Sequence, residues 1–160
     1  MTARDRFDSL IHWYAEHGRK GDGPFVPREP PVPFDVLKRQ LLQESDADPD
    51  AVSRVGAKGL AQAMDATWNE WVRNEYGGAD PPPRRHISAF DPEDAIHFQC
   101  DFMGWLLGMF KGEVRQAVAA YNAGPGRVSR LLKEHGEAGW EAALPDETRD
   151  YLRKILGQTG

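Results

Sequence analysis

The stretch FDVLKRQLLQES, residues 34–45, decides the class of the fold. Its apolar residues Phe34, Leu37 and Leu41 recur every three or four positions, which places them on one face of a helix. The next position on that face is Glu44, so the apolar stripe ends in a carboxylate. The other apolar segments have helical spacing too, and none alternates with period two. The sequence therefore predicts an all-α fold.

Five more helices are predicted downstream from similar stripes. Asp91 is a strong N-cap, because Pro92 then occupies the first helical position and acidic residues follow in the first turn. Glycine and proline close helices at Gly77, Gly78, Pro81–Pro83 and Gly124-Pro125-Gly126. The apolar residues of the five stripes are, in chain order, Leu60, Met64, Trp68 and Trp71; Ile96, Met103, Leu107 and Phe110; Val114, Ala117, Val118 and Tyr121; Val128, Leu131 and Leu132; and Tyr151, Leu152, Ile155 and Leu156.

The first 33 residues are expected to form a helix and a connector ahead of the main domain. Apolar residues at helical spacing predict a short helix over residues 6–17, which Gly18, Gly21 and Gly23 end. Residues 24–33 then contain five prolines, which lack the backbone N–H group that helix and sheet hydrogen bonds need. An extended proline-rich strap with polyproline character is predicted there. We therefore divide the chain into residues 1–33, the helix and strap, and a domain of residues 34–160.

The composition describes a single domain with a real core. The 160 residues are 40% hydrophobic and 28% charged, with five tryptophans and seven phenylalanines. The net charge of −5 lacks the basic excess of a nucleic-acid-binding protein, so no nucleic-acid partner is expected. Cys100 is the single cysteine and the five histidines show no zinc-binding spacing, so neither a disulfide nor a metal nor another cofactor is expected.

Neither a signal peptide nor a membrane span is predicted. The N-terminus is interrupted by charge every few residues and has no apolar stretch of the signal-peptide kind. The longest apolar segment, around residues 104–110, is far shorter than the ~20 residues that a bilayer span needs. We expect no export by a signal peptide and no membrane-spanning helix.

Three short segments carry residue types that suit chemistry, and each also has a structural interpretation. If Glu44 lies on a cleft wall, desolvation raises its pKa, so that it keeps its proton and can act as a general acid. If the apolar stripe simply ends there, Glu44 faces solvent. In VGAKGL, residues 55–60, two glycines could let a ligand approach the backbone closely. The same glycines could equally belong to an ordinary loop. In AYNAGPG, residues 120–126, Tyr121 could bind a sugar ring and Asn122 could cap the helix.

Taken together, four ordered blocks resemble the soluble lytic transglycosylase domain. They are ES-x7-S-x-x-GAKGLAQAM (44–64), FDP-x-x-AI (90–96), AYNAGPG (120–126) and LPDET-x-x-Y (144–151). The resemblance covers about residues 34–156 and implies a mostly helical, lysozyme-like domain. It also implies cleavage of the β-1,4 bond between N-acetylmuramic acid and N-acetylglucosamine in peptidoglycan, with a 1,6-anhydro-muramyl end as product.

The resemblance implies roles for particular residues. Glu44 matches the family's single catalytic acid/base, and Ser45 is its usual neighbour. The positions that match substrate-binding residues of the family are Ser53, Gly59, Gln62, Met64, Tyr121, Asn122, Glu147 and Tyr151. The chain departs from the family pattern at Asp65, Ala95, Gln99 and Phe102, where Pro, Asn, Gly and Tyr are usual. These departures bear on helix packing more than on catalysis.

With a single carboxylate, the implied mechanism uses the substrate as the second catalytic group. The muramyl N-acetyl oxygen stabilises positive charge at the anomeric carbon while Glu44 protonates the leaving oxygen. Glu44 then deprotonates the sugar's own C6 hydroxyl, which attacks in place of water and forms the anhydro ring.

Two alternatives stay open at this point. One of Asp46, Asp48 and Asp50 could hold a water on the opposite sugar face, as in goose-type lysozymes, and the protein would then be a hydrolase. The three aspartates could equally form a solvated turn. The chain could also be a non-catalytic structural or wall-binding module, against which the intact Glu44, Tyr121 and Asn122 argue.

A substrate outside the cytoplasmic membrane and the missing signal peptide together favour a bacteriophage protein. Endolysins released through a holin and virion components that open the wall during entry both meet this condition. The chain would then reach the periplasm and cell wall from the virion or from the host cytoplasm. We expect peptidoglycan glycan strands as its partner, and other virion or tail proteins in the entry case. A secretion-apparatus hydrolase is the alternative.

Overall fold

A computed structural model describes residues 2–19, 23–77 and 86–157 of the chain. This part contains seven helices and two short strands, joined by turns and loops. The elements are, in order, α1 (Asp8–Glu16), β1 (His17–Gly18), β2 (Val26–Pro27), α2 (Phe34–Ser45), α3 (Asp65–Tyr76), α4 (Pro92–Met109), α5 (Val114–Ala123), α6 (Pro125–Gly139) and α7 (Asp146–Leu156). The prediction of an all-α fold is confirmed. None of the described helices is long and apolar enough to cross a bilayer.

The start of α4 follows directly from its sequence. The helix begins at Pro92, and the Asp91 carboxylate accepts a hydrogen bond from the Asp94 amide at 2.9 Å. This is the N-cap arrangement that the sequence predicts, and it provides a partner for one of the unpaired amides of the first turn.

The predicted helix ends are confirmed where the structure describes them. Gly77 follows α3 with a left-handed φ of 64°, the conformation that glycine adopts at helix C-termini. Gly124 separates α5 from α6, which begins at Pro125. The further stops predicted at Gly21, Gly78 and Pro81–Pro83 lie outside the described residues.

The prediction that α3 includes Leu60 and Met64 is wrong, and so is the prediction that Met64 is directed towards the core, whereas Leu60 is in the core as predicted. The helix begins at Asp65, Leu60 is buried in the preceding loop, and Met64 is 45% exposed. The reason is local, because Gly59 and Gln62 have φ angles of 74° and 50°. Such left-handed residues make a turn and interrupt a right-handed helix.

The proline-rich strap does make ladder hydrogen bonds, contrary to the prediction. Val26–Pro27 pairs antiparallel with His17–Gly18, directly after α1. A proline lacks the N–H group but keeps its carbonyl, so it is tolerated in a short edge strand. The Val32 amide also donates to the Ala15 carbonyl at 2.9 Å, so the strap is bonded to the end of the first helix.

The chain divides into two compact units, Met1–Asp101 and Phe102–Gly160. In the first unit α1 packs against α2. Its fully buried apolar residues include Ile11, Leu37, Leu41, Leu60 and Ile96. Those of the second unit include Met103, Leu106, Val118, Val128 and Leu152. The domain boundary after residue 33 stays a prediction.

Candidate active site

Glu44 lies in the last turn of α2. Leu37 and Leu41, on the predicted stripe, are buried, and Glu44 at the end of the stripe is half-buried. The Ser45 hydroxyl donates to the Leu41 carbonyl at 3.1 Å. The carboxyl group is therefore neither enclosed in the core nor on a fully solvated helix face.

A buried amide pair ties α2 to the first half of α4. Gln99 Nε2 donates to the Leu37 carbonyl at 3.1 Å and to Gln40 Oε1 at 2.9 Å. Both glutamines are fully buried. Gln99 stands where glycine is usual in the soluble lytic transglycosylase pattern, and its longer side chain binds the backbone of the helix that carries Glu44.

The chain after α2 folds back on itself over residues 51–63. Lys58 forms single bridges with Val52 and with Ala63. The Gly59 amide donates to the Ala51 carbonyl at 2.8 Å. Because the main chain of this loop is paired, the predicted site residues in it occupy defined positions.

Three of those predicted residues differ in what their side chains do. Ser53 Oγ accepts a hydrogen bond from the Ala57 amide at 3.0 Å. Gln62 Nε2 donates to two main-chain carbonyls of the same loop, at 3.2 and 3.0 Å. Ser53 and Gln62 therefore shape the loop. Met64 instead exposes nearly half of its surface to solvent.

Gly59 allows a close approach to its backbone, but the group that lies there is the Ala89 carbonyl of the same chain. A Cβ atom at this position would lie 1.8 Å from the Ala89 carbonyl oxygen. The glycine therefore packs the loop against the segment ahead of α4. Its contact with substrate stays a prediction.

In the second unit, the AYNAGPG block ends α5. Tyr121 and Asn122 are both half-buried. Asn122 Oδ1 accepts a hydrogen bond from Thr148 Oγ1 at 2.8 Å. This bond joins the AYNAGPG block to the LPDET-x-x-Y block, two segments that the sequence only orders along the chain.

Glu147 and Tyr151, both in the LPDET-x-x-Y block, differ in exposure. Glu147 lies in the first turn of α7 and is exposed. Tyr151, one turn later, is only 4% exposed. Glu147 is therefore accessible to a ligand, whereas the Tyr151 ring belongs mainly to the core.

Phe102 and Trp105 form an aromatic row with Tyr121 that the sequence analysis missed. The centroid of the Phe102 ring lies 5.3 Å from that of Tyr121 and 6.1 Å from that of Trp105. Trp105 is 60% exposed, and an exposed indole is suited to stack on a sugar ring. The three-residue spacing of Phe102 and Trp105 on one helix was the available signal.

Among the described residues, one group places metal-ligating atoms close together. It consists of Glu75, His97 and Asp101, whose donor atoms lie within 4.8 Å of one another. His97 Nε2 is 3.2 Å from Glu75 Oε1 and 3.2 Å from Asp101 Oδ2, as ionic contacts rather than aligned hydrogen bonds. Arg19 pairs with Glu75, and Arg28 pairs with Asp101 at 2.5 Å. Because two arginines neutralise the two carboxylates, this is an ion-pair cluster with no spare negative charge for a metal ion.

Burial and charge act in opposite directions in this cluster. Burial lowers the pKa of His97, whereas the carboxylates of Asp101 and Glu75 raise it, and the net shift is upward. Burial raises the pKa of Asp101, whereas His97, Trp71 and Arg28 lower it, and the net shift is downward. Both directions favour a charged cluster in the folded protein.

The cluster predicts how stability depends on pH. Protonated His97 stabilises the fold below its ordinary pKa of 6.5, and this contribution is lost as the pH rises through the higher folded-state pKa. Ionised Asp101 contributes stability above its ordinary pKa of 3.8, and this contribution is lost as the pH falls through the lower folded-state pKa.

Because the His97 contribution is lost at high pH, we expect a lower free energy of unfolding at about pH 8.5 than at about pH 5.5. Urea denaturation measures it, and His97→Gln should remove most of the difference. Equal stability of the wild type at both pH values would contradict the prediction.

Comparison with known protein families assigns this helical domain to one of them. The family model described as the transglycosylase SLT domain matches residues 31–143. The chain belongs to this family.

Individual relatives agree with the family match. The chain is 30% identical over 125 residues to "Peptidoglycan transglycosylase gp16" of Escherichia phage T7, covering 78% of this chain and 9% of that protein. It is 32% identical over 131 residues to "Soluble lytic murein transglycosylase" of Escherichia coli, covering 78% of this chain and 20% of that protein. The chain thus spans a fifth or less of the length of either relative.

Solved structures show the same fold. An inactive mutant of the lytic transglycosylase Slt from Pseudomonas aeruginosa superposes with a TM-score of 0.74 at 26% identity, over 96% of this chain and 23% of that one. The 70 kDa soluble lytic transglycosylase of Escherichia coli superposes with a TM-score of 0.71 at 26% identity, with the same coverage. The expectation of a soluble lytic transglycosylase fold is confirmed.

Proposed function

We propose that this chain is a peptidoglycan lytic transglycosylase in which Glu44 is the single catalytic acid and base. The observation that carries the proposal is the placement of Glu44 within a family fold. It lies half-buried in the last turn of α2, directly ahead of a loop whose main chain is paired over residues 51–63. A partly desolvated carboxyl beside an ordered loop suits proton transfer to a bound glycan.

We further propose that the predicted binding residues act in two ways. Met64 and Glu147 are exposed and would contact the glycan directly. Gln62 and Tyr151 would act mainly by holding their surroundings, because the amide of the first binds main-chain carbonyls and the ring of the second is buried. Ser53, Gly59, Tyr121 and Asn122 complete the proposed set.

The surroundings of the three nearby aspartates support the C6 hydroxyl as the nucleophile. All three are exposed. Asp46 Oδ1 accepts two hydrogen bonds from Arg4, and Asp48 Oδ1 accepts one from the Asp50 amide at 2.9 Å. The carboxylates of Asp46, in an ion pair, and of Asp48, in a turn, are poor candidates for a water-activating base, which favours an intramolecular attack over hydrolysis.

The product of the reaction tests this mechanism. Because water is not a reactant, each released muramyl end should be lighter by one water molecule than a lysozyme product, and no new reducing ends should form. Mass spectrometry of digested peptidoglycan measures the mass, and a reducing-sugar assay measures the ends.

The paired variant Asp48→Asn/Asp50→Asn serves as the control for this test, and Asp46 is left in place because Arg4 binds it. We expect it to keep most of the wild-type rate, since neither residue activates a nucleophile. Predominantly reducing muramyl ends, or collapse of the rate in this variant without unfolding, would assign the chain to the goose-type-lysozyme-like hydrolases. A folded wild type without any cleavage would instead favour a non-catalytic wall-binding module.

We propose a bacteriophage setting for this activity. Its support is the similarity to a T7 protein whose name describes a peptidoglycan transglycosylase. Use during entry would place the chain in the virion, beside other virion or tail proteins, whereas use during lysis would place it in the host cytoplasm before release. Mass spectrometry of purified virions distinguishes the two.

A further inference from the structure

The segment ahead of the family match lies along α2, the helix of the proposed catalytic residue. The match begins at residue 31, so α1 and the residues before it lie outside it. At the start of α2 the Phe34 ring stacks on His12, with 3.6 Å between centroids. One turn later, Lys38 pairs with Asp5 at 3.0 Å and with Asp8. We call residues 2–16 the N-terminal splint.

Two arginines of the splint reach the turn that follows α2. Arg4 donates from Nε and Nη2 to Asp46 Oδ1, at 2.9 and 2.6 Å. Arg6 donates from Nη2 to the Ala47 carbonyl at 2.7 Å. Together with the ring stack at the other end of α2, these bonds make the splint run antiparallel to the helix along its whole length.

The turn itself has an unfavourable backbone. Asp46 has φ 51° and ψ 36°, and Ala47 has φ 62°. Left-handed conformations are unfavourable for residues other than glycine, and alanine lacks the polar side chain that helps aspartate to adopt them. Two such residues in succession persist where surrounding contacts hold them. Here each of the two is bound by one arginine of the splint.

We infer that Arg4 and Arg6 are positioning residues that hold Glu44 in place through the Asp46–Ala47 turn, an inference that depends on the function proposed above. Glu44 lies two residues before the turn, whose first amide donates to the Leu42 carbonyl at 2.9 Å and closes the last helical turn. A relaxed turn would unwind that end of the helix and move the carboxyl group. A displacement of about 1 Å at a reacting group costs on the order of a hundredfold in rate.

Arg4 and Arg6 are both exposed, and they are therefore expected to add little to stability. The Arg4 and Asp46 side chains are 62% and 70% exposed, and ion pairs between exposed side chains contribute little free energy of unfolding. Removing them therefore separates an effect on position from an effect on stability.

Kinetics of the double variant Arg4→Met/Arg6→Met test the inference, because methionine keeps an unbranched stem without the guanidinium. We expect kcat to fall by about ten- to a hundredfold, with KM within about twofold of wild type and nearly the same melting temperature. The matched control is Arg130→Met, which removes an exposed arginine of α6 whose ion pair to Glu134 is 3.9 Å long. This control should leave kcat, KM and melting unchanged.

A glycine rescue provides the readout that a merely structural role would not give. Glycine adopts left-handed backbone without steric cost. Adding Ala47→Gly to the double variant should therefore restore kcat to at least about half of its wild-type value if the arginines act by holding this turn. If the loss arose elsewhere in the splint, glycine at position 47 would restore nothing, and the inference would be wrong.

The outcomes also separate this inference from the proposed function. If Glu44→Gln is inactive while the double variant keeps the wild-type kcat, the inference is wrong and the proposed function stands. If Glu44→Gln keeps wild-type activity, both are wrong. Should the double variant not fold, Arg6→Lys, which keeps a donor for the Ala47 carbonyl, is compared with Arg6→Met, which has none. We then expect the lysine variant to be the more active, and equal activity would overturn the inference.

Discussion

Replacing Glu44 with glutamine is expected to remove nearly all cleavage of peptidoglycan and to leave the fold intact. The amide has the shape of the carboxyl group but cannot donate and recover a proton in the reaction. General acid–base catalysis contributes about 10²–10⁴-fold to a rate, so Glu44→Gln should keep no more than about one hundredth of the activity. Clearing of a peptidoglycan suspension measures the rate, and thermal melting followed by circular dichroism measures the fold.

The matched control for this variant is Glu70→Gln, which makes the same chemical change at an exposed position of α3. It should clear peptidoglycan at the wild-type rate. Retention of more than about a tenth of the activity in Glu44→Gln would rule out the assigned role. Loss of cooperative melting would instead make Glu44 a structural residue.

The second large effect is expected on stability, from Gly59→Ala. A Cβ atom at Gly59 would lie 1.8 Å from the Ala89 carbonyl oxygen, so one of the two segments must move. Overpacking of this kind costs about 1–3 kcal/mol, and the left-handed φ of 74° adds about 1–2 kcal/mol for a residue with a Cβ. We therefore expect a loss of about 2–5 kcal/mol, against the roughly 5–15 kcal/mol that holds a typical domain folded.

The Gly56→Ala variant separates the effect of the steric clash at Gly59 from the effect of the left-handed backbone on the free energy of unfolding. Gly56 has a φ of 88°, but no atom lies within 4 Å of a Cβ built on it. It should therefore lose only the backbone contribution of about 1–2 kcal/mol. Chemical denaturation gives both free energies of unfolding. Equal losses in the two variants would show that the close approach to Ala89 has no energetic weight.

Much of the fold could be predicted because its signals are local. The N-cap at Asp91, the glycine after α3 and the Gly124-Pro125 break act through backbone conformations that each residue type imposes on its neighbours. The error at Leu60 and Met64 arose where helical spacing continued through residues whose backbone is left-handed. Periodicity reports which face of a segment is apolar, and it does not report whether the segment is a helix.

The candidate site was only partly predictable for a related reason. The blocks around Glu44, Gln62 and Asn122 are short stretches of consecutive sequence, so their order and spacing can be recognised. Their partners cannot be recognised in the same way. Thr148, which donates to Asn122, lies 26 positions away, and nothing in the spacing pairs the two. The exposed Trp105 was missed because it lies off the predicted apolar stripe of α4, so helical spacing assigned it no role.

The sequence by itself determined the helical class, the family and the identity of the candidate acid, because helical periodicity, capping residues and short motifs are properties of neighbouring residues. Only the tertiary structure decided which distant residues contact the helix of that acid and the segments that follow it. It placed Gln99 against the backbone of α2, the Ala89 carbonyl against Gly59, and Arg4 on Asp46 across 42 positions of chain. Such contacts depend on how helices and loops pack in space, and residues far apart in sequence acquire them only when the chain folds.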